Sequence, residues 1–194
     1  MDTCCRNNIH RVPILDHDGE FFSLVSQTDV LAFIASQIFS PVLQQLAHSK
    51  VMDAKIGTFG QVHSVSSDEP ALTAFQLISE KRIHGVAVVD KAGHLVSNIS
   101  ASDLRLIQHH GASLAVLFDS AADFVRACSA GSTVRGGAEA VSALSVGKEA
   151  TYVEVLLAMH NRKAHRIYVV DEKNKPIGVV SQIDLIRAVH HLLQ

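Results

Sequence analysis

Apolar residues in this chain gather into short runs of strand length, and the runs return in a fixed order. Val12-Pro13-Ile14-Leu15, Val86-Ala87-Val88-Val89 and Ile167-Tyr168-Val169-Val170 each end at an aspartate: Asp16, Asp90 and Asp171. Runs this short and this rich in β-branched residues predict buried strands. Three residues past each aspartate stand Gly19, Gly93 and Asn174, types that accept the positive φ of a tight turn. A second apolar run then predicts a second strand, over residues 21–25, 95–99 and 177–180. Further upstream, residues 62–65 and 141–146 each predict a short opening strand. A helical spacing follows each of these. Pro70 starts a helix whose Leu72, Phe75, Leu77 and Ile78 fall near one face, and Val153, Leu156, Leu157 and Met159 mark its counterpart. The predicted repeat is strand, helix, strand, strand, helix.

Polar positions keep the same register. Ser26-Gln27-Thr28-Asp29, Ser100-Ala101-Ser102-Asp103 and Ser181-Gln182-Ile183-Asp184 each follow the second strand. His10, His84 and His165 stand 19 residues before these three aspartates. An ungapped register held three times is an internal repeat. Each Ser sits at a natural helix N-cap, and each Asp in the first turn, where its charge suits the helix dipole. A lone Ser-x-x-Asp needs no role beyond that cap. Three of them, each at the carboxyl end of a strand, occupy the place where open α/β sheets put ligands. The first copy has nine residues before His10, so it is expected to lack its opening strand and helix. Its two strands should then leave an apolar face open, which predicts self-association.

Between the repeats the pattern loosens. Leu114, Leu117, Phe118, Ala121 and Val125 predict a helix over residues 114–128. Gly131, Gly136 and Gly137 around Arg135 lack the Lys-Ser/Thr of a phosphate-binding loop and predict a flexible connector over residues 131–140. Residues 36–55 link the first copy to the second, with Pro41 expected to open a helix.

Composition narrows the chemistry. Hydrophobic residues make up 47% of the 194, with no Trp and 5% aromatics, which describes a Val/Ile/Leu/Ala interior. Seventeen basic against nineteen acidic residues leave no basic face for nucleic acid. Three cysteines, Cys4, Cys5 and Cys128, have no metal spacing and read as reduced thiols. No apolar stretch reaches membrane-spanning length and no secretory signal appears, so an intracellular protein is expected. Adjacent pairs such as His109-His110 and His190-His191 point to different sides of a helix and cannot chelate together. No nucleophile elbow or zinc motif occurs, so neither catalysis nor a metal site is expected. A carboxylate fixed in a first helical turn can accept hydrogen bonds from ribose hydroxyls. Arg11 and Arg166, each beside its His, offer forked donors for phosphate.

The repeat resembles a cystathionine-β-synthase (CBS) domain, two of which pair as a Bateman module. The segments Asn8-Ile9-His10-Arg11-Val12-Pro13-Ile14-Leu15-Asp16 and Ile56-Gly57-Thr58-Phe59 resemble the regulatory gamma subunit of AMP-activated protein kinases more closely. So do His165-Arg166, Val169-Val170-Asp171-Glu172 and Gly178-Val179-Val180-Ser181-Gln182-Ile183-Asp184. Residues 1–37 are similar to the end of that family's second repeat, 50–110 to its third and 137–194 to its fourth. The resemblance implies an α/β (α+β) fold of tandem CBS domains, each a small sheet covered by two helices, preceded by a partial copy. The expected divisions are 1–48 for the partial copy and linker, 49–110 and 137–194 for CBS domains, and 111–136 for a connecting helix and loop.

The resemblance also implies function. Such a module binds AMP, ADP or ATP and regulates a kinase through its catalytic and beta subunits, in the cytoplasm and nucleus. Carried over by residue, Ser100 and Asp103 would hold a ribose while His165 and Arg166 hold the phosphate. A second site would use Ser181 and Asp184 for ribose, with Thr58 near the adenine. The second copy has Gly85 where the others have Arg11 and Arg166, so that site lacks one expected phosphate cation. His10, Arg11, Ser26 and Asp29 would make a third, half-built site. The alternatives are a CBS scaffold without ligand, and a CBS regulator of another enzyme or transporter that binds S-adenosyl ligands.

Overall fold

A computed structural model describes residues 9–105, 114–130 and 142–194. The expected flexible connector over 131–140, the pair His109-His110, and Cys4 and Cys5 lie outside the described residues. Two compact units emerge. The first takes residues up to Phe59 with Val146–Val169 and Gly178–Gln194; the second takes Gly60–Ser145 with Val170–Ile177. The first copy of the repeat therefore shares a unit with most of the third.

The second unit shows the repeat most fully. Strand β4 (Ser64–Ser66) runs parallel to β5 (Gly85–Val89) through the crossover helix α3 (Ala71–Lys81). Strand β6 (Leu95–Ser100) then pairs antiparallel with β5. Between β5 and β6, Asp90 builds the turn: its Oδ1 accepts from the N–H groups of Ala92 (2.9 Å) and His94 (2.8 Å), and its carbonyl accepts from Gly93 (2.9 Å). Gly93 has φ +84°, as a turn of this hand requires. The same turn closes at Asp16 and Asp171, with φ +83° at Gly19 and +58° at Asn174. One turn chemistry, used three times, fixes which residues of the two strands face each other.

Two expected helices are corrected. Residues 114–128 do not form one helix: a 3₁₀ turn (Leu114–Phe118) ends, and α4 (Ala121–Ala130) starts afresh. The break is tertiary. Ala71 N–H donates to the Asp119 carbonyl (2.9 Å) and Ala121 N–H to that of Glu69 (2.7 Å), which draws the chain out of helical register. Ser120 then caps the new helix, accepting from Asp123 N–H at 3.1 Å. Pro41 opens no helix either. It lies in a turn closed by Leu43 N–H on the Ser40 carbonyl, and only Gln44–Ala47, here α2, is helical. The helix expected from Ser100 begins as a 3₁₀ turn over Ala101–Asp103.

α4 packs into the second unit's core. Ala121, Phe124, Val125 and Cys128 join Val65, Ala71, Ala74, Phe75, Ile78, Val86, Val88 and Ile99 in one buried cluster. Phe75 and Phe124 meet edge to face, their ring centres 5.5 Å apart. Such pairs add about 0.5–1.5 kcal/mol beyond burial. α4 is thus a wall of the domain.

The first unit gathers β1 (Arg11–Leu15), β2 (Phe21–Ser26) and α1 (Gln27–Ser36) from the first copy, with α2. From the third copy come α5 (Tyr152–Asn161), β8 (Arg166–Val170), β9 (Pro176–Ser181) and α6 (Gln182–Leu192). A sheet in the order β3-β9-β8-β7 uses the short strands β3 (Thr58–Phe59) and β7 (Ser145–Gly147) at its edges. Helix α1 packs against both α5 and α6, burying Leu31, Ile34, Leu156, Met159, Leu185 and Ile186. Among the described residues no helix covers the two-stranded β1–β2 ribbon in this way. Where β5 and β8 bury their three central residues, β1 buries none, and Leu15, Phe21 and Phe22 are 57%, 67% and 73% exposed. Among the described residues, these side chains leave the apolar face of the ribbon exposed.

Candidate functional site

Each copy builds the same corner. The backbone N–H just after the capping Ser donates to the carbonyl of the repeat's His: Gln27 to His10 at 3.1 Å, Ala101 to His84 at 3.1 Å, Gln182 to His165 at 3.2 Å. The 19-residue register is therefore a hairpin distance, bringing His and Ser-x-x-Asp together at one sheet end. Each Asp reaches back: Oδ2 accepts from its Ser N–H at 2.9 Å (Asp29), 2.8 Å (Asp103) and 2.9 Å (Asp184). The Ser hydroxyl also donates to Oδ2 of Asp29 (2.7 Å) and Asp184 (2.5 Å), whereas that of Ser100 turns to Ser102 Oγ (2.7 Å). Such reciprocal caps satisfy N–H groups a helix start would leave bare. They also aim each carboxylate at the place where strand gives way to helix.

The three corners differ in setting. Asp29 is exposed; hydrogen bonds from Ser26 hold its carboxyl below the usual range, and the Arg11 charge adds to this. Asp103 is buried at 3% exposure. Asp184 is half-buried and opens on a cleft of about 320 Å³ in the first unit. The cleft's walls are one face of α6, Leu46 of α2 and the segment 54–57. Gly57, at φ +120°, crosses so close to β9 that a Cβ would stand 2.7 Å from the Val179 carbonyl oxygen. Thr58 pairs with Val179 and is exposed next to the cleft wall. The first unit thus brings Thr58, Ser181 and Asp184 into one region. Ser100 and Asp103 belong to the second unit and His165 and Arg166 to the first, so neither unit alone assembles that set.

Several further residues shape these corners and the cleft. Gln27 and Gln182, both buried, donate side-chain N–H to the carbonyls of Ile9 (3.0 Å) and Ala164 (3.1 Å), each just before the repeat's His. Their shared place in Ser-Gln-x-Asp could have revealed them. Lys55, Arg187 and His191 line the cleft; the spacing of Arg187 and His191 from Asp184, three and seven residues on, was the available clue. Tyr168, on β8 two residues from Arg166, is buried, and its hydroxyl has no hydrogen-bond partner among the described residues. Burial pushes its pKa up to about 12, while the charge and the hydrogen-bonding approach of the nearby Arg166 guanidinium pull it the other way.

Among the described residues the grouping with metal-ligand proximity is Asp16, His17 and Asp18, exposed at a turn where Asp16 Oδ1 already accepts two N–H groups. Among those residues no helix is long and apolar enough to cross a membrane.

Residues 56–110 and 140–191, more than half of the chain, match the family described as "CBS domain". Over 166 residues the chain is 28% identical to protein SDS23 of Pyricularia oryzae, covering 85% of this chain and 31% of that one. Over 193 residues it is 28% identical to 5'-AMP-activated protein kinase subunit gamma-3 of Bos taurus, covering 96% and 36% respectively. The chain thus spans about a third of the length of these curated relatives. Among solved structures, CBSX2 in complex with AMP superposes with a TM-score of 0.51 at 20% identity, over 72% of this chain and 96% of that one. That likeness concerns the fold.

Proposed function

Because the chain belongs to the CBS-domain family and carries that domain twice, we propose that it is a regulatory module that binds adenine nucleotides (AMP, ADP or ATP) and controls a protein kinase. It is not itself an enzyme in this reading. The observation that carries the proposal is the Ser-x-x-Asp corner, built three times with one geometry and, at Asp184, facing a cleft. At Asp184, where Oδ2 is engaged by the cap, Oδ1 is the acceptor for a ribose hydroxyl. Ser181 and Asp184 hold one ribose, with Thr58 beside the base. Ser100 and Asp103 hold another ribose, His165 and Arg166 serve a phosphate, and His10, Arg11, Ser26 and Asp29 form a third, lesser site. CBSX2 was solved in complex with AMP, and the gamma-3 relative is named for an AMP-activated kinase. Kinase catalytic and beta subunits are the proposed partners, in cytoplasm and nucleus. Binding would shift the conformations a partner meets.

The equally identical SDS23 match favours one other reading, a CBS regulator of a different enzyme. Co-purification with kinase catalytic and beta subunits separates the two. Ligand binding is tested by calorimetry with AMP, ATP, adenosine and S-adenosylmethionine on the parent, Asp103→Ala and Asp184→Ala. Each loss of a charge-assisted pair of hydrogen bonds should weaken nucleotide by about 2–4 kcal/mol, roughly thirty- to a thousand-fold. A parent that binds no adenine nucleotide at millimolar concentration ends the proposal and leaves a ligand-free scaffold.

A further inference from the structure

The cleft at Asp184 carries its own cations. Asp184, Arg187, Ala188 and His191 stand at i, i+3, i+4 and i+7 of α6, a single helix face. At 1.5 Å rise per residue, that face runs about 10 Å from Asp184 to His191. Across from it, the turn over residues 50–56 is closed by Lys55 N–H on the Met52 carbonyl (3.1 Å) and Ile56 N–H on that of Val51 (2.8 Å). These two bonds place Lys55 at the left-handed position of the turn, φ +54°, on the cleft wall. Leu46, Ile56 and Ala188 add apolar surface.

Lys55, Arg187 and His191 therefore border the same cleft as the Asp184 carboxylate. Arg187 Nη1 stays 4.0 Å from Asp184 Oδ1, and the two side chains are 40% and 21% exposed. A guanidinium beside the carboxylate can add a charge-assisted contact to an anion in the cleft while keeping the contacts it has. The volume, about 320 Å³, lies at the small end of ligand sites.

We propose that this cleft takes a phosphorylated nucleoside, with Lys55 and Arg187 as its phosphate cations. Phosphate recognition here is then supplied by the unit that carries Asp184, without the His-Arg pairs. The proposal rests on the reading of Asp184 as a ribose acceptor. It also excludes S-adenosyl ligands from this cleft, because their sulfonium cation would meet Lys55 and Arg187.

The test titrates AMP, adenosine and S-adenosylmethionine into the full chain, reading the methyl NMR signals of Ile56 and Ala188 so that only this cleft is followed. Lys55→Gln and Arg187→Gln are each expected to weaken AMP about ten-fold, the scale of one lost charge-assisted contact, and to leave adenosine unchanged. The double variant should bind AMP and adenosine alike, with the parent's salt dependence gone. S-adenosylmethionine should leave both signals unmoved. Unaltered AMP affinity in both variants overturns the inference. So do equal losses for AMP and adenosine, or a phosphate-specific loss at this cleft in Arg11→Ala or Arg166→Ala instead. In those cases a loss of binding in Asp184→Ala would leave the nucleotide reading standing. If the parent moves neither signal with AMP, the inference falls, and calorimetry then shows whether the nucleotide reading falls with it.

Discussion

Removing one oxygen from each of the chain's two tyrosines should change stability in opposite directions. Tyr152 and Tyr168 are both buried in the first unit, at 0% and 2% exposure. The Tyr152 hydroxyl donates to the Leu185 carbonyl at 2.9 Å, tying the start of α5 to α6. The Tyr168 hydroxyl has no partner among the described residues. Tyr152→Phe loses a buried hydrogen bond, while the Leu185 carbonyl keeps its place in the hydrogen-bond ladder of α6, so the cost is about 1 kcal/mol. Tyr168→Phe keeps the ring's packing and deletes an unsatisfied polar group, so a gain of about 1 kcal/mol is expected. For a chain of this size 1 kcal/mol moves the melting temperature by roughly 2–4 °C. Thermal unfolding of parent, Y152F and Y168F side by side should therefore give one melting temperature below the parent and one above it. Burial raises both phenols' pKa, that of Tyr168 to about 12. A group whose folded pKa is raised favours the fold below its unfolded pKa, here 10.0, and loses that contribution as pH climbs towards 12. Phenolate absorbance should accordingly appear only as the protein unfolds in that window. A Y168F protein less stable than the parent by as much as Y152F would refute the reasoning, because the hydroxyl would then have a partner after all.

Phe124→Ala should destabilise the second unit by about 3–5 kcal/mol, since a ring 1% exposed in the α3–α4 core leaves a cavity; a change below about 1 kcal/mol by denaturant unfolding would mean α4 is only a spacer. Asp29, Asp90 and Asp171 are held below their ordinary value of 3.8, chiefly by N–H groups of Ser26, His94 and Lys175. Lowered folded pKa values favour the fold above 3.8 and lose that contribution below it, so stability should fall on acidification through that value, less steeply in Asp90→Asn and Asp171→Asn. The open apolar face of β1 and β2, with Phe21 and Phe22 outermost, should drive self-association that Phe22→Asp suppresses; a strictly monomeric parent by light scattering at high concentration would refute it.

The repeat was legible because its anchors are local. A His, an Asp turn with Gly or Asn at positive φ and a Ser-x-x-Asp cap each work within a few residues or one hairpin, so their spacing survives as sequence register. The strands of the second and third copies were legible for a related reason: a strand buried on both faces is nonpolar at its centre, as Val86–Val88 of β5 and Ile167–Val169 of β8 show. The helix break at Asp119 and Ser120 was not, because it depends on hydrogen bonds to Glu69 and Ala71, some fifty residues earlier. Nor was the role of α4: an amphipathic stretch does not say which surface its apolar face will cover. The carboxylates could be named as candidates from their caps, but the cleft could not. Lys55 and Arg187 lie more than a hundred residues apart in the chain, and only the packing of α6 beside the turn that precedes β3 makes them neighbours. Local hydrogen bonding writes its periodicity into the sequence, whereas contacts across the fold are chosen by the shapes of surfaces that exist only once the chain has closed on itself.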